Sequence, residues 1–167
     1  HSYQLRCLYL SYLVDLLIAY SKIDKSLSRQ IDTINRLIYH KSSQEMYATL
    51  DYFILDLVDL KFTLFKAGSF PTFIYHEGKL KESKRNSTPL GILENVEPFA
   101  YKDFLQEGDI VVFMSDGFGE DVYEIIEKNI SLNYKNNLSE LTTKLKNELL
   151  LNSNVEDDKT LVLLKIE

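Results

Sequence analysis

The chain has 167 residues, 45% hydrophobic and 26% charged, with a formal net charge of −6 at pH 7. That is one domain's length with material for a full core, and the composition is not that of a disordered chain. A net negative surface repels nucleic acid and anionic lipid, and Glu82 interrupts the densest basic stretch, residues 79–85, so no nucleic-acid partner is expected.

Cys7 stands alone, which leaves no disulfide framework and no thiolate zinc site and fits a reducing cytoplasm. Leu5, Leu8, Tyr9, Tyr12, Leu13, Leu16 and Leu17 recur at helical spacing, and Leu10, Val14 and Ile18 widen their apolar face. The apolar run over residues 8–20 contains Asp15, is too short to span a bilayer and precedes no small-residue cleavage pattern. It reads as a buried helix. Asp24 or Ser26 caps a second helix with the stripe Leu27, Ile31, Ile34 and Ile38, whose opposite face carries Arg29, Asp32 and Arg36.

The pattern then turns to strands. Residues 46–57 and 60–67 are rich in β-branched, aromatic and aliphatic side chains, and the short link Val58–Asp59 predicts an antiparallel hairpin. Residues 72–76 run into Glu77–Gly78, a tight turn that returns the chain through Lys79 and Leu80. Asn86, Ser87, Thr88 and Pro89 mark a looser stretch, followed by a strand over residues 96–101. Gly108–Asp109 opens the strongest strand, residues 110–114, which stops at Ser115-Asp116-Gly117. Two helical stripes follow, one of Val122, Ile125, Ile126 and Ile130, the other of Leu138, Leu141, Leu145 and Leu149. A final strand over residues 160–166 comes after the acidic turn Glu156-Asp157-Asp158. Helices segregated from an antiparallel sheet predict a layered α+β fold.

Asp116 follows an apolar strand and precedes Gly117, an arrangement that fixes a carboxylate at a sheet end while the backbone turns. Asp157 stands just before another apolar strand. If those strands are neighbours, both carboxylates reach one site, and such oxygen donors suit Mg²⁺ or Mn²⁺. Taken singly, each has a plainer explanation, because Asp-Gly after a strand is turn chemistry and Asp-Asp before one is a solvated loop. Spacing alone leaves both open. Glu120 and Asp121 complement a helix dipole.

Other chemistries find less support. His1, His40 and His76 lack partners at metal-ligand spacing and read as surface or strand residues. No G-x-S-x-G elbow occurs, and an apolar strand fills the middle of residues 108–119 where a phosphate loop needs small residues. Ser43 and Ser69 read as loop residues, and Asp51 as a solvent-facing residue inside a strand pattern.

Five segments in order carry a family resemblance. They are Glu45-Met46-Tyr47-Ala48-Thr49-Leu50-Asp51; Lys66-Ala67-Gly68-Ser69-Phe70-Pro71; Thr88-Pro89-Leu90-Gly91-Ile92-Leu93; Glu107-Gly108-Asp109 through Ser115-Asp116-Gly117; and Asp157-Asp158-Lys159-Thr160-Leu161-Val162. Together they resemble the PPM-type metal-dependent protein phosphatases of the stage II sporulation protein E class. The resemblance implies an αββα sandwich of antiparallel sheets flanked by helices, formed as a single domain over residues 1–167. It implies a binuclear Mn²⁺ or Mg²⁺ centre with Asp116 and Asp157 as metal ligands and Gly117 and Asp158 beside them. Lys159 stands where many relatives have Met.

An early acid and a D-G-M-G-type motif, which the family places on its first strands, have no counterpart in this sequence. His1 and Ser2 lead directly into the helix that follows that motif, so the resemblance implies an N-terminally incomplete domain, inactive by itself. The implied reaction is two-metal hydrolysis of phosphoserine or phosphothreonine on a phosphorylated STAS-domain anti-anti-sigma factor or a similar bacterial signalling protein. It is expected in the cytoplasm, with no membrane contact by this domain. The alternative is a pseudophosphatase that docks a phosphoprotein without turnover. An uncovered sheet edge predicts a homodimer or aggregate. The first two helices occupy the place of the family's activity switch.

Overall fold

A computed structural model describes residues 26–41, 47–68, 70–83, 87–96, 99–119 and 121–167. The helix expected over residues 5–20 lies outside them, as do Asp24, Ser43 and Glu120. The elements in chain order are α1 (Leu27–Lys41), β1 (Leu50–Leu55), β2 (Lys61–Ala67), β3 (Thr72–His76), β4 (Lys79–Ser83), β5 (Phe99–Phe104) and β6 (Ile110–Met114). A 3₁₀ turn (Asp116–Phe118), α2 (Tyr123–Asn133), α3 (Leu138–Asn152) and β7 (Leu161–Lys165) complete the α+β fold. One sheet has the strand order β1-β2-β5 and the other β4-β3-β6-β7.

Several strand boundaries differ from the sequence reading. β1 starts at Leu50, and upstream of it Ala48 makes only an isolated bridge to Leu90. The β1–β2 connection is residues 56–60 rather than a two-residue link. Asp56 accepts the Val58 N–H at 2.8 Å, Asp59 accepts the Lys61 N–H at 3.0 Å, and Leu60 takes a positive φ of 55°. Acidic side chains that bond their own backbone two residues on favour turns over extended strand. β5 runs over Phe99–Phe104, later than expected, because Lys102 and Asp103 disguise its alternation. By contrast the Glu77–Gly78 turn stands as read, with both residues at positive φ (49° and 77°) and His76 paired to Lys79. Two left-handed central residues match the right-handed twist of a two-residue hairpin.

The chain divides into two compact units. One holds His1–Tyr52, Phe65–Gly68 and Asn86–Ala100. In it the α1 stripe Ile31, Ile34 and Ile38 packs on Phe65, Ala67, Leu90 and Val96, with Leu50 and Tyr52 alongside. Asn35 is fully buried on α1, and its amide donates to the carbonyls of Leu93 (3.0 Å) and Glu94 (2.9 Å) while its oxygen accepts from Gly91 N (2.9 Å). Asp51 does not face solvent as expected. Its carboxylate takes the Lys66 ammonium at 2.6 Å, and the Lys66 side chain is only 1% exposed. Strand alternation puts Asp51 on the face opposite Leu50 and Tyr52, where it meets that buried cation.

The second unit holds Phe53–Leu64, Ser69–Arg85 and Tyr101–Glu167. Phe53, Leu55, Phe62, Leu64 and Tyr101 from the first sheet pack against Ile74, Val111, Phe113 and Leu164 from the second. Alternation sends the neighbouring residues Phe73, Tyr75, Ile110, Val112 and Met114 to the other face, where Val122, Ile126, Ile130, Leu141, Leu145 and Leu149 of the helical segment cover them. Asn137 caps α3 by accepting the Ser139 N–H at 2.8 Å. His76 is not an isolated strand residue. Its Nδ1 lies 2.8 Å from Oδ2 of the buried Asp109, which also accepts the Gln106 N–H at 2.9 Å.

Candidate functional site

The site is built at the end of the apolar strand β6. Strands β6 and β7 are antiparallel neighbours, registered from Ile110↔Lys165 to Met114↔Leu161. The ladder continues one step, with Ser115 N donating to Thr160 O at 3.0 Å and Thr160 N to the Ser115 hydroxyl at 2.9 Å. That hydroxyl in turn donates to Asp158 O at 3.1 Å. A short polar side chain at a strand end thus satisfies backbone groups where the ladder stops.

Asp116 opens the 3₁₀ turn, which closes where the Gly119 N–H donates to the Asp116 carbonyl at 2.9 Å. Gly117 is required by close approach: a Cβ there would stand 2.3 Å from Asp158 O, a backbone atom with no freedom to retreat. Ser153, just beyond α3, donates its hydroxyl to Gly117 O at 3.2 Å. The turn is therefore held by the loop that carries Asp157 and Asp158. Asp157 accepts the Asp158 N–H at 2.8 Å, and Lys159 extends its ammonium to the carbonyls of Val155 and Asp157.

Strand pairing thus brings Asp116, Gly117, Asp157 and Asp158 to one end of the sheet, meeting the neighbouring-strand condition set by the sequence. All three acids are exposed, and among the described residues none of them is in an ion pair. Their oxygens are hard donors of the type that Mg²⁺ and Mn²⁺ prefer. Among the described residues, no group of three or more His, Cys, Asp or Glu side chains stands close enough to hold a metal. The contributions of Ser115 and Ser153 were not anticipated. Ser115 carried a signal in its place before Asp-Gly, whereas nothing around Ser153 points to a partner 36 residues away.

Residues 7–167 match the sequence profile of the family described as stage II sporulation protein E (SpoIIE). Stage II sporulation protein E of Bacillus subtilis (strain 168) is 28% identical over 155 residues, a match covering 88% of this chain and 18% of that protein. Among solved structures, the PP2C phosphatase domain with a fragment of the regulatory domain of the cell fate determinant SpoIIE from Bacillus subtilis has a TM-score of 0.79 at 26% identity. It covers 93% of this chain, which spans 49% of that one. The Mn-presoaked phosphatase domain of SpoIIE from Bacillus subtilis shares the fold at a TM-score of 0.65 and 24% identity, over 93% of this chain and 73% of that one. The chain is thus much shorter than the curated relative, but the profile runs through both sheets and all three described helices: it belongs to the stage II sporulation protein E family and has its PP2C-type phosphatase fold.

Proposed function

We propose that the chain is a metal-dependent phosphoserine/phosphothreonine protein phosphatase domain in which Asp116 and Asp157 supply carboxylates to a Mn²⁺ or Mg²⁺ centre. The observation that carries this reading is the β6–β7 end, where Gly117 lets the Asp116 turn press against the backbone of the Asp157–Asp158 loop. Such ions, when bound, acidify a water for in-line attack and neutralise the phosphoryl oxygens. The chain's own part is positional. Ser115 and Ser153 hold the turn and loop together, and Lys159 orders the loop through its carbonyls. The exposed acids repel a phosphate until cations are in place.

Two carboxylates are fewer than a pair of ions requires, so the centre needs further acids, and we propose that this chain alone turns over little or not at all. By family resemblance the substrate is a phosphorylated STAS-domain anti-anti-sigma factor or a similar signalling protein, met in the cytoplasm. No described helix is long and apolar enough to cross a membrane. The missing third ligand among the described residues favours a second reading, a pseudophosphatase that docks a phosphoprotein without turnover.

Mn²⁺ titration followed by electron paramagnetic resonance tests the assignment. Asp116→Asn and Asp157→Asn should each weaken specific Mn²⁺ binding by at least about tenfold, the loss typical even for groups that only support a ligand. Equal Mn²⁺ binding by the original chain and both variants would remove these residues from the centre.

A further inference from the structure

We propose that the end of α3 and the loop after it form a docking shelf for the phosphorylated segment, taking an apolar side chain beside the phosphoresidue and a basic residue beyond it. The proposal rests on the metal-centre reading above and names the substrate feature that site selects.

The core-facing stripe of α3 is Leu141, Leu145 and Leu149, spaced four residues apart and fully buried. Leu151 lies two residues past that stripe, about 200° around the helix, and is 85% exposed. It contributes nothing to the core. Val155, in the loop that follows, is 41% exposed. Single exposed apolar residues are ordinary, but these two bracket Ser153, whose hydroxyl binds Gly117 O in the Asp116 turn. Val155 is held there from two further directions. Its N–H donates to the Ser153 hydroxyl at 3.4 Å, and its Cγ2 lies 3.5 Å from where a Gly119 Cβ would be. Two residues of chain reach at most about 7 Å, so the backbone at Leu151 is within that distance of Ser153.

Everything else in residues 152–158 is polar: Asn152, Ser153, Asn154, Glu156, Asp157 and Asp158. An exposed leucine at the helix end and a valine in the polar loop after it, joined through Ser153 to the acid-bearing turn, fit a ligand that brings its own apolar side chain. Glu156, Asp157 and Asp158 are exposed at the same loop, and no described cation is ion-paired to any of them. The one cation there, Lys159, turns its ammonium to the carbonyls of Val155 and Asp157, which leaves the loop net negative. That charge favours a basic flank and opposes an acidic one. The occupant is therefore a phosphoserine or phosphothreonine segment with an adjacent apolar residue and a nearby Lys or Arg.

Fluorescence anisotropy in saturating MnCl₂ tests this on the full chain. The probes are two labelled phosphoserine peptides with arginine ends, one with leucine on both sides of the phosphoresidue and one with serine. The leucine peptide should bind about tenfold more tightly, as expected for burying part of one leucine. Leu151→Ser, and independently Val155→Ser, should cut that preference to within about twofold while leaving the serine peptide's affinity unchanged. Both positions are exposed enough that matched melting curves will separate lost docking from lost folding. If both variants keep the full preference, the shelf is wrong, and the metal-centre reading survives provided binding still needs Mn²⁺ and Asp116. If neither peptide shows Mn²⁺-dependent binding, both readings are overturned.

Discussion

Lys66 shows how costly one buried charge can be and how the chain answers it. Burial pushes its ammonium below the usual lysine range, while the hydrogen bond and charge of Asp51 pull it back up. Removing only the carboxylate takes a charged hydrogen-bond partner from a buried cation, which typically costs several kcal/mol, whereas replacing both partners with apolar groups is often neutral. Asp51→Ala should therefore destabilise the chain by about 3 kcal/mol in urea unfolding, and the double variant Asp51→Ala, Lys66→Met should recover most of that loss. Equal stabilities for the single and double variants would mean that Asp51 does not compensate Lys66. Tyr101 offers a test by pH. Burial, and then its 2.7 Å hydrogen bond to Asp103, pushes the phenol up to about 12 from 10.0. The folded chain thus keeps a proton that the unfolded chain gives up earlier. The resulting stabilisation is complete below pH 10 and is lost as pH rises through 12. Tyr101→Phe should flatten that alkaline decline in urea midpoints measured across the interval, and an unchanged slope would contradict it.

Helix α1 is joined to its unit by more than its isoleucine stripe. Asn35, in mid-helix, spends its whole amide on the loop at Gly91, Leu93 and Glu94, and Arg36 reaches Asn95 Oδ1 at 3.1 Å from the neighbouring position. A loop without strand partners takes such side chains as partners for its backbone groups. Asn35→Ala removes three hydrogen bonds of a buried amide and should cost about 2–3 kcal/mol. The local signature is faster hydrogen exchange at the Gly91 amide, whose protection depends on Asn35 Oδ1. A Gly91 amide equally protected in the variant would show that the helix stripe alone holds the loop.

In the larger assembly of strands, β7 is an edge of its sheet among the described strands, and Val162 on it is 51% exposed. Its first four residues, Leu161-Val162-Leu163-Leu164, carry none of the charges or prolines that natural edges use against pairing, and the strand's one charge, Lys165, stands at its far end. We expect the chain to self-associate, with a light-scattering mass that rises with concentration, and Val162→Lys to suppress the rise. A mass that stays at the monomer value in both would show that this edge is already protected.

The strands of residues 72–76 and 110–114, the turn between His76 and Lys79 and the two C-terminal helices were legible in the sequence, because apolar period and glycine placement act within a few residues. The Asp116-Gly117 and Asp157-Asp158 turns were legible for the same reason. The strand over residues 99–104 was misplaced because Lys102 and Asp103 hide its period. Tertiary structure alone could decide that β6 lies beside β7, which joins Ser115 to residues 43 and 45 positions further on and sets the two acid turns at one sheet end. It also decided that Asp51 meets Lys66 across 15 residues and that Asn35 meets a loop 56 to 59 residues away. Local preference sets which way a strand's side chains alternate, but a buried polar group chooses its partner from whatever the closed core brings within hydrogen-bond reach.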